Sequence, residues 1–156
     1  MSRKGPHSVL IIEARFYEDI ADELARGAVE ELRGNQVEYE RIAVPGALEI
    51  PLALSLALAN GFVGRAGRHR GCIALGCVIR GKTSHYDIVA RESATGLNQL
   101  AVQHGVPIGS GIITCESREQ AWARASVDGR NNGGDAARAC LTLMRLEQHF
   151  SSASRR

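Results

Sequence analysis

Four short apolar runs, separated by longer stretches of helical periodicity, are the feature that most limits how this chain can fold. The first, Val9 to Ile12, is continuously apolar, as a strand covered on both faces must be. From Tyr17 to Arg33, Ile20, Leu24, Ala28 and Leu32 recur every fourth residue, which predicts a helix. Glu18, Asp19, Asp22 and Glu23 suit its positive N-terminal end, and Gly34 can stop it. Val37 to Val44 alternates at first, which places it nearer a sheet edge. Pro51 fits the first turn of a second helix that reaches Asn60-Gly61. A third strand over Cys72 to Ile79, a helix over Ser84 to His104 and a fourth strand over Ile108 to Thr114 follow. Helices over Ser117 to Ser126 and Asp135 to Phe150 close the pattern, with the polar, Gly-rich segment Val127 to Gly134 read as the turn between them. Strands and helices in alternation, joined by short connections, imply right-handed crossovers and a parallel sheet. The expected fold is α/β, a flavodoxin-like three-layer sandwich with a four-stranded parallel sheet and helices on both faces. We expect one domain over residues 1–156, with flexible tails at 1–7 and 151–156.

At 156 residues the chain can bury roughly 70% of its unfolded surface, so it needs neither disulfides nor a structural metal to fold. Its 19 Lys and Arg against 17 Asp and Glu leave a charge of +2, too balanced to argue for nucleic acid or a membrane surface. Cys72, Cys77, Cys115 and Cys140 form no Cys-x-x-Cys pair and show no zinc spacing with histidine. They read as small hydrophobes in a reducing, cytoplasmic setting. The apolar stretch near the N-terminus is too short for a signal peptide. The longest uncharged run, Ile50 to Gly64, has 15 residues and falls short of a membrane span. The second helix, Leu52-Ala-Leu-Ser-Leu-Ala-Leu-Ala, is apolar nearly all round. In so small a domain that predicts cover by another subunit. The basic loop Arg65, Arg68, His69, Arg70 has no interleaved aromatics and reads as a solvated turn.

In an open parallel sheet ligands bind beyond the carboxyl ends of the strands, so the segments after each strand are the candidates for chemistry. The third is the richest: Arg80-Gly-Lys-Thr-Ser-His-Tyr-Asp87. Backbone N–H groups, hydroxyls and the Lys82 ammonium at a helix start suit an anion such as phosphate, and His85 beside them can pass a proton to a substrate. The other reading is that Thr83 or Ser84 is only the helix cap and His85 an exposed helical residue. Phe16 is either a stacking platform for a flat heterocycle or a core aromatic. Glu49, between Leu48 and Ile50, either caps the second helix or accepts hydrogen bonds from a ligand. Arg124 is a surface residue unless it reaches a phosphate. Gly109-Ser-Gly111 lies inside a strand and lacks the setting of a dinucleotide-binding turn.

Taken together, Val44-Pro-Gly-Ala-Leu-Glu-Ile-Pro51, Gly76-Cys-Val-Ile-Arg-Gly-Lys-Thr-Ser-His-Tyr-Asp87, Glu119-Gln-Ala-Trp-Ala-Arg124 and Asn131-Asn-Gly133 resemble the lumazine synthase family from about Ile11 to Met144. The resemblance implies condensation of 5-amino-6-(D-ribitylamino)uracil with 3,4-dihydroxy-2-butanone 4-phosphate, without metal or organic cofactor. This is the penultimate step of riboflavin biosynthesis. It implies that Phe16 stacks on the pyrimidine and that Ala47, Leu48 and Glu49 hold the ribityl chain. Cys77, Val78 and Ile79 would present backbone groups to the uracil edge. Lys82, Thr83 and Arg124 would receive the phosphate, and His85 would shuttle protons.

Two positions depart from the family's commoner pattern: Ser110 stands where a Phe near the pyrimidine is frequent, and Asn132 replaces a Lys. Arg130 is the nearby cation that could stand in for the missing one. The resemblance further implies a homopentamer, with an icosahedral shell of pentamers permitted, and sites shared between neighbours. Phe16 and His85 of one chain would face Ser110 and Arg124 of the next. The departures motivate an alternative, a flavin- or lumazine-binding protein without catalysis. A plain FMN module ranks last, because Ala14-Arg-Phe-Tyr17 lacks a phosphate cradle.

Overall fold

The computed structural model describes residues 8–155. Its strands are β1 (Ser8–Ala14), β2 (Glu38–Val44), β3 (Gly71–Ile79) and β4 (Ile108–Cys115). Its helices are α1 (Glu18–Gly34), α2 (Glu49–Ala59), α3 (His85–His104), α4 (Arg118–Ala125) and α5 (Asn132–Ala153). The strands form one sheet in the order β2-β1-β3-β4, and every pairing is parallel. β1 and β3 are central and read as near-continuous buried runs; β2 lies at an edge, as its alternating pattern predicts.

Strand alternation divides the core into two layers. Val9, Ile11, Ile73 and Leu75 pack against α1, α4 and α5 through Leu24, Leu32, Ala121 and Leu141. Leu10, Ile12 and Ala74 pack against α2 and α3 through Ile50, Leu54 and Leu97. This is the expected three-layer sandwich. The sandwich leaves α2 half bare, however: Ile50 and Leu54 are buried, whereas Leu52 and Leu56 are 61% and 58% exposed.

Three local readings need correction. The Gly-rich segment before the last helix is partly helix itself, because α5 starts at Asn132 rather than Asp135. Asn131 adopts a left-handed conformation (φ 50°), and its side chain accepts the Gly134 N–H at 3.2 Å, capping the helix. Gly133 sits so close to α1 that a Cβ there would lie 2.0 Å from the Leu24 carbonyl oxygen. At the other end α5 runs on to Ala153, so residues 151–153 are helical rather than frayed; the expected tail at 1–7 lies outside the described residues. Finally, the basic loop is solvated at Arg65 and Arg68 but not at His69, which is 2% exposed. The His69 ring shares hydrogen bonds with Glu40 Oε2 (2.8 Å) and Ser8 Oγ (2.7 Å) and meets Phe62 edge-on. Arg68 lies over that same Phe62 ring, which precedes the loop.

Candidate active site

Because the strands are parallel, their carboxyl ends open on the same side, and the segments that follow β1, β2 and β3 surround a cleft of about 450 Å³. Phe16 and Tyr17 come from the first segment and Pro45 to Glu49 from the second. The end of β3 contributes Cys77, Val78 and Ile79, and the loop into α3 contributes Gly81, Thr83, His85 and Tyr86. Phe16, Ala47, Leu48, Glu49, Cys77, Val78, Ile79, Thr83 and His85 are therefore brought together as the sequence predicts. Lys82, Ser110 and Arg124 do not line this cleft.

Phe16 is 74% exposed and meets Tyr17 edge-on, with ring centroids 5.0 Å apart. It is not a core residue. Burial, with Cys77 nearby, pushes the Tyr17 phenol above its usual range. Glu49 opens α2, where a carboxylate is favoured by the positive helix end, and remains exposed. Gly46 lets the chain pass close to it: a Cβ there would lie 3.2 Å from Glu49 Oε2. Burial first, and then Cys115, pushes the Cys77 thiol up to about 12, so at neutral pH it is an uncharged, unreactive lining group.

In the third segment Thr83 Oγ1 accepts the backbone N–H of His85 at 3.3 Å, as a helix cap would. Among the described residues Ser84 finds no side-chain capping partner. At the start of α3 the His85 N–H is thus taken by Thr83 and the Asp87 N–H by the Ser84 carbonyl oxygen, while Lys82 stands exposed beside them. Thr83 makes a cap-like bond to the start of the helix, and His85 lines the cleft. Arg80 braces the segment from the side. Its Nε donates to Glu116 Oε2 at 2.9 Å, and its guanidinium lies 4.4 Å from the centre of the Tyr86 ring and 3.5 Å from Asp87.

Ser110 and Arg124 belong to the β4 edge. Ser110 is exposed in mid-strand. Arg124, on α4, donates from Nη1 to the Thr114 carbonyl oxygen at 2.5 Å and approaches Cys115 Sγ at 3.7 Å. Gly109 and Gly111, which flank Ser110, serve packing: a Cβ on Gly109 would lie 1.9 Å from the Ala136 carbonyl oxygen of α5. Sequence reasoning gave no role to Tyr17 or Val89, which also line the cleft. Val89 carried one signal, its position a helical turn after His85.

Chemically, the cleft offers an exposed ring, an apolar bed from the end of β3, a carboxylate, and an imidazole at the positive start of a helix. That set suits a flat, polyhydroxylated ligand and proton transfer next to an anion. Among the described residues no group of three or more His, Cys, Asp or Glu is placed to hold a metal ion, and no helix is long and apolar enough to cross a membrane.

The family model described as 6,7-dimethyl-8-ribityllumazine synthase matches residues 6–148. Curated proteins of that name are similar along nearly their whole length. The one from Nitrobacter hamburgensis is 50% identical over 145 residues, covering 92% of this chain and 88% of the relative. The one from Bartonella tribocorum is 49% identical, with 95% and 94% covered. A 6,7-dimethyl-8-ribityllumazine synthase 1 from Rhizobium meliloti is 47% identical, with 97% and 99% covered.

Proposed function

This chain belongs to the 6,7-dimethyl-8-ribityllumazine synthase family, and from that premise we propose how its cleft carries out the reaction. The chain is a transferase of riboflavin biosynthesis. It condenses 5-amino-6-(D-ribitylamino)uracil with 3,4-dihydroxy-2-butanone 4-phosphate, releasing 6,7-dimethyl-8-ribityllumazine, phosphate and water. The observation that carries the site assignment is the convergence of Phe16, Glu49 and His85, from three separate segments, on one cleft.

In our reading the pyrimidine stacks on Phe16, its edge meets backbone groups of Cys77, Val78 and Ile79, and its ribityl chain lies along Ala47 and Leu48 with hydroxyls donating to Glu49. The sugar phosphate docks at Thr83 and the start of α3, with Lys82 and the Arg124 of an adjacent chain completing its charge. The amine then attacks the ketone and a first water leaves as the imine forms; phosphate is eliminated, the resulting enol becomes a ketone, and the ribitylamino nitrogen closes the ring on it with loss of a second water. Every step is redox-neutral, so the residues need to move only protons, and we assign that task to His85, whose position in the cleft lining supports it. Much of the acceleration comes from holding two substrates together. The functional unit is a single domain working in the cytoplasm as a homopentamer, with assembly into an icosahedral shell permitted. The bare leucines of α2, Leu52 and Leu56, support cover by a neighbouring subunit.

The test is to incubate the purified chain with both substrates and follow lumazine fluorescence. Product should form well above the spontaneous rate, and His85→Ala should lower kcat about ten-fold, a loss limited by the contribution of proximity. Formation at the spontaneous rate would overturn the reading. The non-catalytic alternative predicts tight lumazine binding with no effect of His85→Ala on turnover.

A further inference from the structure

Glu13 is 3% exposed at the end of β1, yet it carries a carboxylate. A buried carboxylate is tolerated only when its oxygens are partnered, and here both are. Oε2 accepts from Arg41 Nε at 2.5 Å; Oε1 accepts from Arg41 Nη2 at 2.9 Å and from Arg15 Nη1 at 2.8 Å. The other terminal nitrogen of Arg15, Nη2, donates to Asp22 Oδ1 of α1 at 2.5 Å. The Arg15 backbone N–H donates to the Val44 carbonyl oxygen at 3.1 Å, beside the segment that carries Glu49. Arg15 is thus tied to β1, β2 and α1 at once, by charge-assisted bonds whose planar geometry resists rotation.

Phe16, the next residue, is in the opposite situation. It stands largely in solvent against the edge of Tyr17, and packing of its own cannot fix where the ring points. We infer that Arg15 is a positioning residue: clamped between Glu13 and Asp22, it holds the Ala14–Tyr17 turn and thereby aims the Phe16 ring for the pyrimidine substrate. Arg15 is not among the residues that line the cleft, so its influence on substrate passes through that turn. The inference rests on the synthase reading and goes beyond it by assigning a residue outside the binding surface.

The test uses the full chain and steady-state kinetics with both substrates. Arg15→Met leaves Glu13 paired with Arg41, so no carboxylate is stranded. It should raise the KM for the ribitylaminouracil about five-fold while kcat stays within about two-fold and the KM for the sugar phosphate is unmoved. In a Phe16→Ala background the same substitution should no longer change that KM, because its route of action is gone. Should Arg15→Met fail to fold, Asp22→Asn releases the exposed end of the clamp and should shift the same KM in the same direction, by less. The inference is overturned if the responsible variant leaves that KM unmoved. It is equally overturned if the effect persists undiminished without the Phe16 ring, or if both KM values rise together with a loss of thermal stability. A wild-type chain that forms no lumazine would instead remove the synthase reading, and the inference with it.

Discussion

Arg124 donates to the carbonyl oxygen of Thr114, ten residues earlier, which holds its guanidinium at the end of its own β4 while Phe16 follows β1 on the far side of β3. The cation is thereby held at the β4 edge of the sheet. If it binds the phosphate of the second substrate, Arg124→Met should raise the KM for that substrate about ten-fold, the usual loss of one charge-assisted hydrogen bond, with the KM for the pyrimidine unchanged. Separate titrations of the two substrates in steady state check this. An unchanged KM for the sugar phosphate would take Arg124 out of the site.

Gly109 owes its identity to α5, not to a ligand. An added Cβ would meet the Ala136 carbonyl at 1.9 Å, and backbone cannot rotate away as a side chain can. Gly109→Ala should therefore destabilise the chain by about 2 kcal/mol or more. Gly81→Ala, where nothing lies within 4 Å, should stay within about 0.5 kcal/mol. Thermal melts of the two variants side by side give the comparison.

Glu23 ties α1 to the turn after α4: its Oε1 accepts from Arg26 Nη2 at 2.7 Å and from the Val127 N–H at 2.9 Å. The bond from Arg26, and then the Val127 N–H, hold its carboxyl below the ordinary glutamate value. A carboxyl depressed in the folded state contributes stability above its unfolded pKa, about 4.3, and loses it as pH falls through the lower folded value. The Tm difference between wild type and Glu23→Gln should accordingly be full at neutral pH and shrink below about pH 4. A difference that grows on acidification would contradict the assignment.

How much of this was legible beforehand follows from the range of the interactions involved. Val9 to Ile12 announces a central strand because burial on both faces leaves a continuous apolar run. Phe16, Glu49 and His85 could be placed because a parallel sheet puts post-strand residues at one end. The buried state of His69 was not legible: its partners, Ser8 and Glu40, are brought to it by the fold, and its sequence neighbours are solvated arginines. The Glu13–Arg41 pair likewise spans two strands and needs their register before it can be seen. The cap at Asn131 depends on a left-handed backbone that the polar stretch around it disguises as a turn. The outward face of α2 was legible as an anomaly, since a helix apolar all round has no wet side to offer.

The most direct test of a catalytic centre shared between neighbouring chains mixes two crippled ones. A Phe16→Ala, His85→Ala double variant and an Arg124→Met variant, separately tagged and co-expressed, should assemble into mixed rings. If each centre takes Phe16 and His85 from one chain and Arg124 from the next, an equal random mixture has both halves intact at about a quarter of its interfaces. With the sugar phosphate held well below its wild-type KM, where the Arg124→Met chain alone is slow, lumazine formation should then recover to about a quarter of the wild-type rate. Mixed assemblies no more active than the two variants assayed apart would contradict it.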